Sequence, residues 1–409
     1  MKIAILTSGF APVPAVDSGA VEQLTSYLIF DNEKSQDIQF DVYTIADKRL
    51  NTITLKNTKI IQININKLLL FIEKNINRIY RKLQIHKTFS IYNIKLLKLL
   101  KSRNEGYDVI VFENLMDIIF EIEKIKISNT CILHLHNDLN NTSKTIAMGK
   151  KFNELNSKII GVSNYIINSY IEKTNASEKN CAVLHNCIDK SAYNDIINKF
   201  ELEKLRKRMG LKSNDFILLY VGRINEEKGI RELINAFSKI QNNDIKLMIC
   251  GGTWGSEFKN NKFLNYLLEV LDKKVDDVIF TGYINSEDLK NYYYISDIVI
   301  IPSKVQEAFG MVMLEAGIIG KPIIATKSGG MVEILDDKSV IFVENDENLS
   351  ISLEKMINEA YEHKDKLEDM GMRARKKILE SNDFDRENYY NQFMTIIKNH
   401  YNNNVQKNK

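Results

Sequence analysis

The sequence predicts an α/β protein with two doubly wound, parallel sheets, and three observations lead to this prediction. Short apolar runs alternate with helical patterns along almost the whole chain. The runs are nearly continuous in apolar residues, which is typical of parallel strands buried on both faces. About thirteen such runs occur in 409 residues, more than one ordinary open sheet holds, so we expect two Rossmann-like domains.

The predicted strands form two sets separated by polar sequence. The first set covers residues 3–6, 40–45, 59–65, 109–112, 131–135, 159–162 and 182–184. The second set covers residues 216–221, 245–250, 278–281, 298–301, 322–325 and 340–343. Polar and charged sequence at 186–214 separates the two sets, so we predict an N-terminal domain at 1–188 and a C-terminal domain at 189–384.

Helical patterns fill the intervals between the predicted strands. The segment 230–240 carries apolar residues at helical spacing. Ser286 precedes two acidic residues and is predicted to cap the next helix. Strands that alternate with helices in this way predict right-handed βαβ units.

The composition excludes several classes of protein. A hydrophobic content of 44% and a charged content of 27% are ordinary for a soluble globular protein, and a net charge of +3 argues against binding of polyanions by the chain as a whole. Every apolar run is shorter than the ~20 residues of a membrane-spanning helix. The segment MKIAILTSGF is predicted to be a first strand, not a signal peptide. The four cysteines form no close pair, so free thiols in a reducing cytoplasm are expected.

Arg223 and Lys228 follow a predicted strand and precede a predicted helix. In open α/β sheets, ligands bind beyond the carboxyl ends of the strands. Two cations at such an end could stabilise the charge of a departing diphosphate. The alternative is that both are solvated surface cations, and this segment taken alone would favour that alternative.

Glu307 and Glu315 lie around Phe309-Gly310 in the segment EAFGMVMLEAGIIGKPIIATKSGGMVEIL. Carboxylates accept hydrogen bonds from sugar hydroxyls, and the backbone N–H groups at a helix start hold phosphate. The segment therefore points to an enzyme that acts on a nucleotide sugar. The alternative is one glutamate at a helix start and one solvated helical glutamate.

Several motifs together resemble one enzyme family. GRINEEKG, EAFGMVMLEAGIIGKPIIAT and SGGMVEIL resemble the C-terminal half of retaining glycosyltransferases of family four, which have the GT-B fold. DSGAVEQLTSYL resembles the glycine loop and first helix of that family, VLHNCIDKSAY its interdomain segment and MGMRARKKILESNDF its C-terminal end. The resemblance covers most of the chain. It implies two Rossmann-like domains facing each other across a cleft, with a C-terminal helix at 385–402 packing back on the first domain.

The resemblance also implies roles for residues of the C-terminal domain. Glu307 would contact hydroxyls of the donor sugar, and Glu315 would accept hydrogen bonds from the donor ribose. Arg223 and Lys228 would hold the diphosphate. The remaining donor-binding positions would be the backbone amides of Phe309, Gly310 and Met311 at the phosphates and Tyr283 beside the nucleobase.

In the N-terminal domain, Gly19 matches the family's glycine loop near the donor phosphates, and the alternative is an ordinary turn. His136 ends a predicted strand, where a histidine of the family touches the donor sugar. His134 shares its face of the strand. Either histidine could be a satisfied core residue; we favour that for His134 and a functional role for His136.

The sequence departs from the family pattern at two places. The glycine pair of the loop is Ser18-Gly19 here, which affects the conformation of the loop, and the usual Asn-Gly near the hinge is Asn186-Cys187. No Asp-x-Asp element sits where a divalent metal would be expected, and no His/Cys cluster has the spacing of a metal site, so we predict no metal and no cofactor. The first strand is not followed by GxGxxG, which weakens a nicotinamide-dehydrogenase interpretation.

The resemblance implies a retaining hexosyltransferase. It would move a sugar from a nucleoside-diphosphate donor, a UDP-sugar above all, to a hydroxyl of a lipid-linked glycan by front-face displacement. The expected pathway is bacterial cell-surface polysaccharide synthesis, of a capsule or exopolysaccharide. The alternatives are a GT-B-like epimerase, a phosphorylase and a non-catalytic partner subunit.

Residues 67–103 form a basic stretch with ten cationic residues and one acid, a net charge of +9. Apolar and aromatic residues are interleaved with the cations. Basic amphipathic helices bind anionic membrane surfaces, so we expect peripheral membrane association on the cytoplasmic side. The alternative is a pair of packed helices with a solvated basic face. Nucleic acid is not an expected partner, because no stacking module accompanies the charge.

Overall fold

The computed structural model describes residues 1–16, 19–35, 37–83, 89–193, 198–252 and 262–407. The chain divides into two compact units, each described separately below. The N-terminal unit comprises Met1–Cys187 and Arg386–Lys409, and the C-terminal unit comprises Ile188–Asp385. The division after residue 187 compares with the predicted boundary after residue 188.

The N-terminal unit contains a seven-stranded sheet in which all pairs are parallel. Its order is β3-β2-β1-β4-β5-β6-β7, so the direction of strand addition reverses between β1 and β4. The strands are β1 (Lys2–Leu6), β2 (Gln39–Ile45), β3 (Thr58–Ile63), β4 (Val109–Glu113), β5 (Cys131–Leu135), β6 (Lys158–Gly161) and β7 (Cys181–Val183).

Seven helices are described for this unit. They are α1 (Ala20–Asn32), α2 (Lys67–Lys82), α3 (Ile91–Lys101), α4 (Ile119–Ile125), α5 (Ser143–Glu154), α6 (Asn164–Thr174) and α14 (Arg386–Lys407). The last helix packs on α1, where Tyr390 Oη donates to Asn32 Oδ1 at 2.8 Å, and Phe393 is buried in the core that contains β1. It ends at Lys407, five residues beyond the predicted end.

The C-terminal unit has a six-stranded parallel sheet in the order β10-β9-β8-β11-β12-β13. Its strands are β8 (Phe216–Val221), β9 (Ile245–Cys250), β10 (Val278–Gly282), β11 (Ile298–Ile301), β12 (Ile323–Thr326) and β13 (Ile341–Val343). Its described helices are α7 (Lys199–Arg208), α8 (Ile230–Phe237), α9 (Lys262–Leu271), α10 (Ser286–Ile295), α11 (Met311–Ile319), α12 (Leu349–Glu362) and α13 (Lys364–Glu380).

The strands confirm the predicted α/β class. Each predicted strand is present, with ends that differ by at most two residues from the prediction. Most strand residues are buried, as expected for sheets covered by helices on both faces. Within the described residues, none of the helices combines the length and the apolarity needed to cross a membrane.

The predicted helix cap at Ser286 is wrong by one residue. Asn285 is the N-cap of α10, because its Oδ1 accepts the N–H of Asp288 at 2.8 Å. Ser286 is the first helical residue. Asn and Ser are comparable caps, so the sequence pattern alone did not separate them.

Two glycines of the C-terminal unit provide a matched test of backbone constraint. Gly229 and Gly210 both have left-handed backbones, with φ of +68° and +73°. A Cβ at Gly229 would collide with the carbonyl of Pro302, whereas a Cβ at Gly210 meets no atom within 4 Å. The two positions therefore share the conformational strain and differ in the collision.

We expect Gly229→Ala to lower the free energy of unfolding by at least ~3 kcal/mol, since backbone must move in addition to the strain. Gly210→Ala should cost only the ~1–2 kcal/mol of a left-handed alanine. Urea unfolding followed by circular dichroism measures both. Equal losses for the two variants would contradict the role assigned to the Pro302 contact.

Candidate active site

The carboxyl end of the C-terminal sheet holds an ion pair between Lys228 and Glu307. Lys228 ends the turn that follows β8, and Glu307 lies in the loop after β11, the strand paired with β8. Lys228 Nζ is 2.5 Å from Glu307 Oε1, and Ser303 Oγ donates to the same oxygen at 2.6 Å. The two side chains are 25% and 17% exposed. The fold thus brings together two of the predicted site residues.

The loop that carries Glu307 is fixed by the two glycines of SGGMVEIL. The N–H of Gly330 donates to the Glu307 carbonyl at 2.7 Å, and the Glu307 N–H donates to Ser328 Oγ at 3.2 Å. Gly329 has φ of +50°, and a Cβ there would collide with the Glu307 backbone. Any other residue at position 329 would therefore displace Glu307. The position of the Glu307 backbone explains why glycine is needed here.

Helix α11 begins beside this loop. Gly310 is its N-cap with φ of +119°, and Met311 is its first residue. The Phe309 side chain is buried and packs edge-on against Phe384 with ring centroids 5.9 Å apart. Phe309 can therefore serve a ligand only through its backbone. The first N–H groups of a helix have no intrahelical partner and attract anions.

Glu315 lies on α11 and receives a hydrogen bond from a residue that the sequence analysis missed. Tyr293 Oη donates to Glu315 Oε2 at 2.7 Å, and the Tyr293 ring is buried. Burial raises the pKa of Glu315 to about 7, and the Tyr293 hydrogen bond offsets this only in part. Tyr293 belongs to the run YYY at 292–294 on α10. Nothing in that run distinguishes it from a tyrosine that only packs in the core.

Two other predicted residues are exposed at the same end of the sheet. Arg223 follows β8, and its carbonyl accepts the Tyr220 hydroxyl at 2.6 Å. Tyr283 follows β10 and is 61% exposed. Tyr283 lines a groove of about 360 Å³ whose other lining residues belong to α7, to α10 and to the loop before α10.

In the N-terminal unit, His136 lies directly after β5 and contacts Glu113, the last residue of β4. His136 Nε2 is 2.8 Å and His134 Nδ1 is 3.0 Å from Glu113 Oε2. All three residues are buried. Burial alone raises the pKa of the Glu113 carboxyl, but the two histidines outweigh it and hold that pKa low.

The sequence analysis missed Glu113. Its signal was a glutamate that ends an otherwise apolar strand next to the strand with both histidines. Within the described residues, each of these three side chains offers one atom that could bind a metal ion, and the three atoms lie within 4.8 Å of one another. Their nitrogen–oxygen distances are those of hydrogen bonds.

Gly19 is the N-cap of α1 with φ of −177°, an extended conformation open to any residue. A Cβ there would collide with the Glu22 carboxylate, the far end of a flexible side chain that can move aside, so neither the backbone nor this contact requires glycine. Ser18, the other half of the predicted glycine-loop pair, lies outside the described residues.

The C-terminal part of the chain is similar to a known family. Residues 201–377 match the family model for Glycosyl transferases group 1. The lipopolysaccharide 1,2-N-acetylglucosaminetransferase of Salmonella typhimurium is 30% identical over 56% of this chain and 57% of its own length. The N-acetyl-alpha-D-glucosaminyl L-malate synthase of Bacillus anthracis is 27% identical over 58% of each chain.

Solved structures agree on the fold. Anabaena Alr3699/HepE, solved with UDP-glucose, superposes with a TM-score of 0.74 at 20% identity over 98% of this chain and all of its own. WaaG, a glycosyltransferase of lipopolysaccharide biosynthesis, gives 0.69 at 16% identity over 97% of this chain and 99% of its own. The predicted GT-B architecture is confirmed, whereas membership of family four stays a prediction.

The raised pKa of Glu315 predicts how stability depends on pH. Between pH 4.5, its ordinary pKa, and about 7, the folded protein holds a proton that the unfolded chain releases. The free energy of unfolding therefore falls as pH rises through this window and stays lower above it. Glutamine at this position keeps an oxygen for the Tyr293 hydroxyl and does not ionise.

We expect Glu315→Gln to raise the melting temperature of the ligand-free protein at about pH 8, because the free energy of unfolding increases by ~1–2 kcal/mol. At about pH 4.5 the substitution should change the melting temperature little. Differential scanning calorimetry at both pH values measures this. Glu368→Gln, at an exposed position of α13, is the control and should change neither. A lower melting temperature of Glu315→Gln at about pH 8 would contradict the raised pKa of Glu315.

Proposed function

We propose that this protein is a glycosyltransferase that moves a sugar from a nucleoside-diphosphate sugar to an acceptor hydroxyl with retention of anomeric configuration. The observation that carries the proposal is the Lys228–Glu307 ion pair, which lies at the carboxyl end of a parallel sheet beside the start of α11. Each part of this arrangement suits a different part of such a donor.

The diphosphate requires positive charge that strengthens as the sugar departs. Lys228 supplies an ammonium that is one quarter exposed, Arg223 an exposed guanidinium, and α11 the positive end of its dipole. Preorganised positive groups stabilise charge that develops on a leaving group. In this proposal they replace a divalent metal at the diphosphate.

The sugar requires acceptors held in a fixed orientation. Glu307 Oε1 already bonds Lys228 and Ser303, and its loop is fixed through Gly329 and Gly330. Oε2 of the same carboxylate is the oxygen that we assign to the sugar hydroxyls. Because Lys228 contacts the same carboxylate, sugar and diphosphate would lie against one rigid pair, which places the scissile bond between them.

The ribose would donate its hydroxyls to Glu315, the carboxylate that Tyr293 orients. Binding favours the ionised carboxylate, which accepts from two hydroxyls at once. Because burial raises the pKa of Glu315 to about 7, we expect nucleotide affinity to increase as the pH rises through neutrality.

Transfer would proceed by front-face displacement. The acceptor oxygen forms a bond to the anomeric carbon while the bond from that carbon to the diphosphate oxygen breaks. The acceptor proton passes to the departing diphosphate on the same face, so no enzyme base is consumed. Glu307 positions the sugar in this scheme.

The relatives support UDP as the nucleotide and a cell-surface glycan as the acceptor. HepE was solved with UDP-glucose, and the Salmonella relative is a lipopolysaccharide N-acetylglucosaminetransferase. We propose a UDP-hexose donor and a lipid-linked acceptor on this basis, together with the surface described next.

Helix α2 supports a membrane-bound acceptor. None of its residues is buried, and Leu68, Leu70, Phe71 and Ile79 are between 46% and 66% exposed. Its cations lie among these apolar side chains. In contrast, α3 buries four of its residues. Among its described residues, the predicted basic stretch at 67–103 therefore contains a packed helix and an uncovered amphipathic one.

The one acid of the stretch has a structural role. Glu73 Oε2 accepts the N–H of Ile91, at the start of α3, at 2.8 Å, and Asn77 bonds both backbone groups of Phe89. These polar contacts tie α2 to the beginning of α3 and leave its apolar side chains exposed. An uncovered basic amphipathic helix suits the surface of an anionic bilayer.

The first prediction concerns the ion pair. We expect Lys228→Ala and Glu307→Ala each to reduce kcat/KM for UDP-sugar transfer by ~10² or more, because each removes an interaction with the departing or transferred group. Assays with radiolabelled UDP-sugars and extracted lipid-linked glycans measure this.

Lys246→Ala is the matched control. Lys246 forms an ion pair with Asp277 at the opposite end of the same sheet, with a similar exposure of 18%. It should leave kcat/KM within about twofold if the effect is specific to the site. Near-normal turnover of both site variants would overturn the proposed function.

The second prediction concerns α2. We expect the protein to float with vesicles that contain phosphatidylglycerol and not with phosphatidylcholine vesicles, because charge and apolar area act together. Leu68→Ser with Phe71→Ser should weaken flotation about tenfold. The control, Phe200→Ser with Ile351→Ser, changes two equally exposed apolar residues of the C-terminal unit and should have no effect. Equal, negligible binding to both vesicles would contradict the membrane surface.

A further inference from the structure

A buried carboxylate between two histidines lies at the carboxyl end of the N-terminal sheet. Glu113, His134 and His136 are 1%, 0% and 6% exposed. Parallel pairing of β4 and β5 places Glu113 opposite His134, and His136 follows two residues later on the same face. The register of two strands thus builds the cluster from residues that lie 21 and 23 positions apart.

The hydrogen bonds of the cluster determine which nitrogens carry protons. An ionised carboxylate only accepts, so each nitrogen that faces Glu113 must carry a hydrogen. These are Nε2 of His136, at 2.8 Å, and Nδ1 of His134, at 3.0 Å. In the neutral rings, Nδ1 of His136 and Nε2 of His134 are then bare acceptors.

The surroundings of His136 hold its imidazole neutral. Nδ1 of His136 and Nε2 of His134 have no hydrogen-bond partner within the described part of the chain. A second proton on either ring would leave a buried charged donor unsatisfied, which is costly. The ring centroids are 4.2 Å apart, so two imidazolium charges would also repel. Burial lowers the pKa of His136, and His134 adds to this effect.

We propose that Glu113 is a positioning residue that holds His136 as the Nε2–H tautomer, so that the bare Nδ1 accepts a hydrogen bond from a hydroxyl of the sugar substrate. The ligand class rests on the proposed function, whereas the tautomer rests only on the cluster. An unprotonated ring nitrogen accepts a hydrogen bond from a hydroxyl group, whereas it is repelled by phosphate oxygens, which are also acceptors. The cluster therefore selects the sugar part of a nucleotide sugar and not its diphosphate.

An unpartnered buried acceptor fits this role. Buried polar atoms are nearly always paired, and exceptions mark functional groups or sites of ligands and ordered water. A sugar hydroxyl would supply the missing donor. Both ring N–H groups donate to Oε2 of Glu113, so a glutamine could keep both bonds through its amide oxygen. A leucine at this position would remove the acceptor, and the Nε2–H tautomer of His136 would lose its stabilising partner. A carboxylate that fixes the tautomer of a catalytic histidine has a large effect on the rate of the catalysed reaction.

The first test reads the tautomer directly by ¹H–¹⁵N NMR of the imidazole nitrogens. The chain has six histidines, and the His136 signals are those lost in His136→Gln. We expect a protonated Nε2 and a bare Nδ1 for His136 in the wild type at neutral pH. Addition of UDP-glucose should shift the bare nitrogen upfield, whereas UDP alone should not. A protonated Nδ1 in the wild type, or an unmoved signal at saturating UDP-glucose, would overturn the proposal.

The second test compares Glu113→Leu with Glu105→Leu; Glu105 is an exposed glutamate of the same unit that pairs with Lys2 at 3.4 Å. Glu113→Leu should abolish the preference of His136 for the Nε2–H tautomer and reduce kcat/KM for the donor by ~10² or more, with UDP affinity within about twofold of the wild type. Glu105→Leu should change neither. A changed tautomer with normal kcat/KM would also overturn the proposal.

Failure of the proposed function would be recognised separately. A wild-type protein that transfers from no nucleotide sugar contradicts the transferase proposal, while the NMR spectrum still decides the tautomer. The tautomer measurement needs no variant of Glu113 and so does not depend on whether Glu113→Leu folds.

Discussion

The candidate site depends on the parallel pairing of β8 with β11. At this pair the order of the C-terminal sheet reverses, so the loops after the two strands diverge and leave room between them. Lys228 comes from one loop and Glu307 from the other, and their ion pair connects the two loops. A partly buried pair is unfavourable unless each charge has further partners, and Ser303 provides one. The same interaction therefore joins the loops and presents two charges of opposite sign to a ligand.

Glycines allow this pair to form. Gly229 directly follows Lys228 and lies against the Pro302 carbonyl, and Gly329 lies against the Glu307 backbone. Both have left-handed φ angles that other residues adopt at a cost. The backbone thus approaches from both sides of the ion pair at distances that exclude any side chain. Rigidity at the site comes from these contacts as much as from the charges.

The sequence predicted much of the fold because parallel strands buried on both faces leave an unmistakable pattern of apolar runs. It also predicted which segments reach the carboxyl ends, since Lys228 and Glu307 both follow such runs. It did not predict Tyr293 or Glu113, which act through another side chain. Their partners, Glu315 and His136, lie 22 and 23 residues away, and only helix packing and strand register reveal those distances. Local patterns carry no information of this kind.

The exposed state of α2 has a consequence for how this protein can change over evolutionary time. A helix that buries none of its side chains contributes little to the core, so substitutions along its surface are nearly neutral for folding. Among the described residues, hydrogen bonds of Glu73 and Asn77 connect it to the beginning of α3. If α2 is the membrane surface proposed above, its composition can be tuned to a new lipid environment while the sheets remain as they are. The proposed transferase could then be moved between membranes without a change of fold.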